Sequence, residues 1–169
     1  MMIRGVVVVL VLAVAVTVVV APSCRSAALP AAAGVDLYAH ITDEDDYRQW
    51  RLWPDKGELY PAQEPHGAFL TTYVNDRAHS AIAGKKGAIP ARSIIVKENY
   101  DADKNLVALT VMYKVSGYNP DEGDWFWAKY RPDGTIDAEG KVPGCIECHG
   151  LVRDNDFIYT SDLTSPGGY

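Results

Sequence analysis

The pentapeptide Cys145-Ile146-Glu147-Cys148-His149, close to the C-terminus, constrains this chain more than any other stretch. Two thiols at this spacing followed at once by an imidazole form the attachment site of a c-type haem, because each thiol can add to one vinyl group while the imidazole reaches the iron. On a helical turn Cys145 and Cys148 lie i, i+3 and His149 lies i+4 from Cys145, so all three project towards one porphyrin face. His149 is then the expected iron ligand. Two rival readings ask for features the sequence lacks. A redox dithiol usually sits in a thioredoxin-like βαβ context, and a zinc site needs a fourth ligand and usually a second Cys-x-x-Cys.

The N-terminus is the second strong signal. Arg4 is a short basic region, and Gly5 to Ala21 is apolar apart from Thr17, which reads as a secretory signal. The run also borders on the length that spans a bilayer, so an uncleaved anchor fits the same residues. Ala31-Ala32-Ala33 before Gly34 is an Ala-x-Ala cleavage site, whereas Ala21-Pro22-Ser23-Cys24 resembles a bacterial lipoprotein box, with Ala and Pro where Leu and a small residue are commoner. Cys24 is the odd cysteine beside the haem pair, either removed with the signal or kept as a lipid anchor. The expected layout is residues 1–33 as signal peptide or lipoprotein signal and 34–169 as a single domain with one core. Both routes put the domain in the periplasm or outside the cell, tethered to the membrane if Cys24 is lipidated, which is where bacterial c-type haem is attached.

The formal charge is −6, and removing Arg4 and Arg25 with the signal leaves −8. An acidic surface argues against nucleic acid and anionic membrane as partners. The acidic run Asp43 to Asp46 marks a solvated helix start.

Taken in order, Thr42 with Asp45 three residues on predicts a capping box opening a helix through Tyr47, Trp50 and Leu52, ended by Pro54. Residues 67–74 predict a first strand, and Asp76 is the expected cap of a helix over Arg77 to Ala83, closed by Gly84. His40 has no motif around it and reads as a surface histidine; His66 and His79 could supply a second haem ligand, but nothing in their surroundings singles them out. The segment 92–100 is a strand whose alternation puts Ile95, Lys97 and Asn99 on one face and Ile94, Val96 and Glu98 on the other; apolar at the start on both faces, it should be central. Lys97 on periodicity alone reads as a lysine that snorkels to the surface. Leu106 to Val115 is the strongest strand, with Leu109, Val111 and Tyr113 on one side and Ala108, Thr110 and Met112 on the other, and it should form a hairpin with its predecessor. Met112 is the one methionine beyond the signal, hence the candidate for His/Met ligation, although a strand methionine is more often core filler. Two further strands follow, Asp124 to Arg131 and Thr135 to Val142, joined at Pro132-Asp133-Gly134. The predicted class is α+β, mainly an antiparallel sheet with a few peripheral helices, and this β content argues against an ordinary helical electron-transfer cytochrome.

Four stretches together carry a likeness: Ile94 to Tyr100, Val111 to Tyr118, Gly123 to Tyr130, and the Cys145–His149 motif followed by Asn155-Asp156-Phe157. In this combination the chain resembles the cytochrome P-460 family over roughly residues 66–160. The resemblance implies an antiparallel β-fold, usually a homodimer, carrying covalently attached haem c with His149 as proximal ligand and an open sixth position. It also implies that Lys97, in its Val96-Lys97-Glu98 context, cross-links to the porphyrin, a third tether that distorts the macrocycle. The implied chemistry is oxidation of hydroxylamine, with an unidentified electron acceptor such as a soluble cytochrome. Relatives of the cytochrome c′-beta type share the fold, lack the cross-link and bind diatomic gases. The likeness places Leu70 where hydroxylamine-oxidising members carry a polar or basic distal residue. A wholly apolar distal wall would bind nitric oxide or carbon monoxide but would lack a base. Asp154 and Asp156 are the candidate bases after the haem motif, with helix-start capping as their alternative role.

Overall fold

The computed structural model describes residues 29–164. The expectations for the apolar run from Gly5 to Ala21, the lipoprotein-like box and Cys24 lie outside the described residues. No helix among the described residues is long and apolar enough to cross a membrane.

A fully antiparallel sheet forms the body of the fold. Its strands are β1 (Arg51–Leu52), β2 (Tyr60–Pro61), β3 (Phe69–Val74), β4 (Ile94–Tyr100), β5 (Leu106–Lys114), β6 (Trp125–Tyr130) and β7 (Ile136–Gly140). They run in the order β1-β3-β4-β5-β6-β7, with β2 pairing β3 beside β1. From β3 onward the order follows the chain, each strand returning as an antiparallel neighbour of the one before it, with α2 inside the β3–β4 connection. The expected β4–β5 hairpin forms, with Ile95 opposite Met112 and Lys97 opposite Thr110.

Period-two alternation sends adjacent residues to opposite faces, and each face carries its own core. Ile94, Val96, Leu109, Val111, Tyr113, Phe126 and Tyr130 pack on one side against Leu37, Ile41 and Tyr47. Ile95, Met112, Trp125 and Trp127 pack on the other side with Trp53, Ala78, Ile82 and Phe157. The helices divide accordingly. Helix α1 (Gly34–Ala39) and the π-helical turn His40–Glu44 cover the first face; α2 (Asp76–Ala83), α3 (Pro143–His149) and the 3-10 turns Gly150–Asn155 cover the second.

The helix expected to open at Thr42 lies further N-terminal. The segment from Gly34 is already helical, and the Thr42 hydroxyl donates back to the Tyr38 carbonyl at 2.9 Å, so Thr42 sits near a helix end. Leu37 and Ile41, four apart and fully buried, decide this, since burying each is worth about 1.5–3 kcal/mol, more than a capping box supplies. Tyr47–Gln49 is a separate 3-10 turn capped by Asp46, and Trp50 follows it in extended conformation. The cap of α2 is Asn75, one residue before the expected Asp76, its side chain accepting from the Ala78 amide at 3.1 Å. A mixed α+β fold of antiparallel sheet with peripheral helices is thus the observed class.

Candidate functional site

The second face of the sheet leaves a cavity of about 800 Å³, within the range of about 300–1,000 Å³ typical of small-molecule and cofactor sites. Strand register explains its floor. One cross-strand row runs Val74, Ile95, Met112, Trp127, Gly140; the next runs Thr72, Lys97, Thr110, Lys129, Ala138; a third runs Leu70, Asn99, Ala108. The middle members of these rows line the cavity, with Gly144, Cys145, Cys148 and His149 from α3 and residues Glu64 to Ala68 from the β2–β3 loop.

Helix α3 begins at Pro143, whose fixed φ suits a first helical turn, and ends at His149. Its two thiols are free, Cys145 half-buried and Cys148 exposed. Burial raises the Cys145 thiol pKa; the nearby Lys129 cation opposes this and Cys148 adds to it. His149 is buried, and its Nδ1 lies 2.7 Å from the Phe157 carbonyl. A carbonyl only accepts, so Nδ1 carries the proton and Nε2 keeps its lone pair, the tautomer a metal-ligating imidazole uses. Burial lowers the His149 pKa, the Phe157 bond works against that, and Lys97 lowers it further. Rings crowd this imidazole: Trp127 at 4.7 Å, Tyr159 at 5.5 Å and His66 at 6.2 Å between centroids.

The Phe157 carbonyl is presented by an unusual turn in which Asp156 (φ 52°) and Phe157 (φ 65°) are both left-handed without being glycine. Asp156 holds that turn. Its carboxylate pairs with the Lys114 ammonium and accepts from the Ile89 amide at 2.7 Å, while Trp125 Nε1 donates to its carbonyl at 3.1 Å. The two aspartates suggested as bases are therefore placed elsewhere: Asp154 is exposed on a 3-10 turn, Asp156 is engaged as a clamp, and neither lines the cavity. Their position in sequence, just after the motif, did not foretell this, because the chain turns away from the cavity at Gly150 and returns only through the Phe157 backbone.

Lys97 is not a surface lysine. It lines the cavity floor from the central strand and has no ion-pair partner among the described residues. Burial alone pulls its pKa down to about 8, which leaves a usable fraction of nucleophilic free amine near neutral pH. Met112 also borders the cavity, between Ile95 and Trp127 in the first row. Leu70 shares a sheet face with Asn99 and does not line the cavity. Asn99, Thr110, Lys97 and His66 make it partly polar. The sequence offered His66 and His79 alike as second haem ligands; what separates them is spatial, since Asn99 reaches His66 through the strand register. Burial and the nearby Lys97 cation push the His66 pKa down to about 4 against its bond to Asn99. His79 lies on α2, bonded to the exposed Arg51.

The residues fit a covalently held porphyrin. Two free thiols and an imidazole of ligating tautomer meet one large cavity, and Trp127 Nε1, fully buried in its wall, has no hydrogen-bond partner. An unpaired buried donor costs about 1–3 kcal/mol, which an acceptor on a bound group would offset. Among the described residues no three His, Cys, Asp or Glu side chains converge on a metal-sized site.

Fold and cavity together define a class: a mixed α+β protein whose antiparallel sheet and Cys-x-x-Cys-His helix border a large cavity. Within that class the chain belongs to the cytochrome P460 family, whose profile matches residues 44–160. Among curated proteins it is also 36% identical over 94 residues to a probable voltage-gated potassium channel subunit beta from Arabidopsis thaliana, covering 53% of this chain and 28% of that protein. The chain thus spans less than a third of that relative's length.

Proposed function

We propose that the cavity holds a haem c attached through Cys145 and Cys148, with His149 as proximal iron ligand, and that the protein is a haem-dependent oxidoreductase acting on hydroxylamine or a related small nitrogen species. The observation that carries this reading is the His149 Nδ1–H bond to Phe157, which leaves Nε2 free beside both thiols and the unpaired Lys97 in one cavity. When bound, the haem supplies one-electron redox chemistry at an iron accessible to a small ligand. The chain contributes the rest. Phe157 orients the imidazole and raises its basicity. Lys97, neutral in part, is the amine positioned to bond the macrocycle. Trp127, Ile95 and Met112 exclude water from that side.

In this reading residues from Gly34 onward form the exported, periplasmic domain, tethered by lipid where Cys24 is retained and modified. The partners are a homodimer mate and an electron acceptor such as a soluble cytochrome. A second reading, gas binding without turnover, draws support from the cavity's carboxylates: those that border it, Glu64 and Asp101, both lie on loops outside the strands.

The test is the reduced-minus-oxidised spectrum of haem-loaded protein beside Lys97→Ala, followed by hydroxylamine oxidation with an artificial acceptor. A broad, red-shifted reduced band that reverts in Lys97→Ala is expected, together with turnover. Fully loaded protein without turnover removes the enzymatic reading and leaves gas binding. An ordinary c-haem spectrum in both proteins removes the lysine bond.

A further inference from the structure

The segment that follows the thiol–imidazole helix carries the most exposed large apolar side chain among the described residues, Leu151 at 80%, and a second exposed one, Tyr159 at 52%. Neither hangs from a loose loop. Asn155 pins the turn between them: its amide nitrogen donates to the carbonyls of Ile158 (2.6 Å) and Ser161 (2.8 Å), and its oxygen accepts from the Leu163 amide at 2.8 Å. Tyr159 is stapled back to α3, its hydroxyl donating to the Cys148 carbonyl at 2.9 Å. Leu151 follows Cys148 by three residues at the start of the 3-10 turns, one turn further along the chain. The backbone thus holds apolar groups at the surface against the gain from burying them, about 1.5–3 kcal/mol for a leucine.

This patch lies beside the thiol–imidazole end of the cavity. Cys148 borders the cavity and is exposed as well, so a group attached there brings one edge to the surface. The exposed Tyr159 ring stands 5.5 Å from the buried His149 ring, edge-on to it. Around the patch are Glu147 and Asp154, both exposed and in no ion pair among the described residues, and Arg153, whose guanidinium already lies 3.4 Å from the Glu122 carboxylate. An apolar centre with an acidic rim is the anatomy of a surface that meets a basic partner.

We infer that the surface formed by Cys148, Leu151 and Tyr159 is where the electron acceptor docks, and that this acceptor is a soluble redox protein whose own centre opens on a lysine-rimmed apolar face. The inference rests on the haem reading above and adds to it the chemistry of the partner and its point of contact. Each encounter moves one electron outward: the donor is oxidised by one and the acceptor reduced by one, with no atom transferred. The contact is small and short-lived, below about 1,200 Å². Glu147 and Asp154 speed the encounter more than they tighten it.

The test mixes chemically reduced, haem-loaded protein with oxidised mitochondrial cytochrome c, a lysine-rich acceptor, and separately with a small uncharged quinone, and follows both by stopped-flow absorption. The rate with cytochrome c should fall as salt is added. Leu151→Lys, and Glu147→Lys combined with Asp154→Lys, should each slow it about tenfold or more while the quinone rate stays within about twofold of wild type. Val35→Lys places the same charge on an exposed apolar residue of α1, across the sheet, and should leave both rates unchanged. A Leu151→Lys protein as fast as wild type, or a Val35→Lys protein slowed as much, overturns the inference and leaves the haem reading intact. So does a dimer that Leu151→Lys dissociates in sedimentation, which assigns the patch to a second copy of the chain. Wild-type protein that retains no haem through denaturing electrophoresis brings down both readings.

Discussion

Lys97 and Glu98 are neighbours on the central strand, yet they stand on opposite faces of the sheet and meet opposite fates. Glu98 is 5% exposed and fully provided for: Tyr47 and Tyr100 each donate a phenol hydrogen bond to it at 2.7 Å, and the Arg48 guanidinium lies 3.8 Å away. The burial and the carboxylate together raise the Tyr47 and Tyr100 pKa values, so the phenols stay protonated and keep donating. Lys97 faces the cavity with no ion-pair partner among the described residues, and one row away Trp127 Nε1 has no acceptor. One face is a satisfied core and the other holds its polar groups in reserve. A buried polar group left unpaired costs free energy, and on the proposed reading a group bound on the cavity face would offset that cost.

Substitutions can break this contrast. The broadest effect is expected at the clamp behind the cavity. Asp156→Asn leaves the largely buried Lys114 ammonium without its carboxylate and should cost about 2–3 kcal/mol in chemical denaturation, below the about 3–5 kcal/mol of a fully buried pair. It should also disturb the iron–imidazole bond through the Phe157 carbonyl, read as a shifted reduction potential. An unchanged potential with lost stability would confine Asp156 to folding.

On the satisfied face, Glu98→Ala strips two phenols of their acceptor and should cost about 2–4 kcal/mol while leaving the haem spectrum unaltered. A spectral change there would show that the two faces are coupled.

The smallest effect is the most diagnostic. The folded-state pKa of Lys97 is lowered, to about 8 from 10.5, so over that interval the unfolded chain binds the extra proton. Stability of the cofactor-free protein relative to Lys97→Met should therefore be lowest below about pH 8 and rise towards pH 10.5 by at most about 3 kcal/mol. A flat difference across that window would mean that the ammonium finds water or an anion in the cavity.

Much of the architecture was legible in the chain. The alternation at Ile94 to Asn99 and at Leu106 to Val115 assigned both faces residue by residue, because a strand buried on both sides has only one register that keeps each set apolar. The Cys145–His149 spacing marked α3 for the same local reason. Local signals failed where packing outweighed them: the Thr42 capping box yielded to the burial of Leu37 and Ile41, and Asp154 and Asp156, adjacent to the motif in sequence, were carried away from the cavity by the turn after His149.

By itself, then, the sequence determined the strands, their faces, the thiol-imidazole helix and the family, all properties set by residue spacing along a few turns or strands. Only the tertiary structure decided that Lys97 lies in a cavity without a partner, that Phe157 sets the tautomer of His149, and that His66 arrives 6.2 Å from it. Those relations join residues 8 to 83 positions apart in the chain, and hydrogen bonds and burial across such distances exist only once the sheet has closed its register.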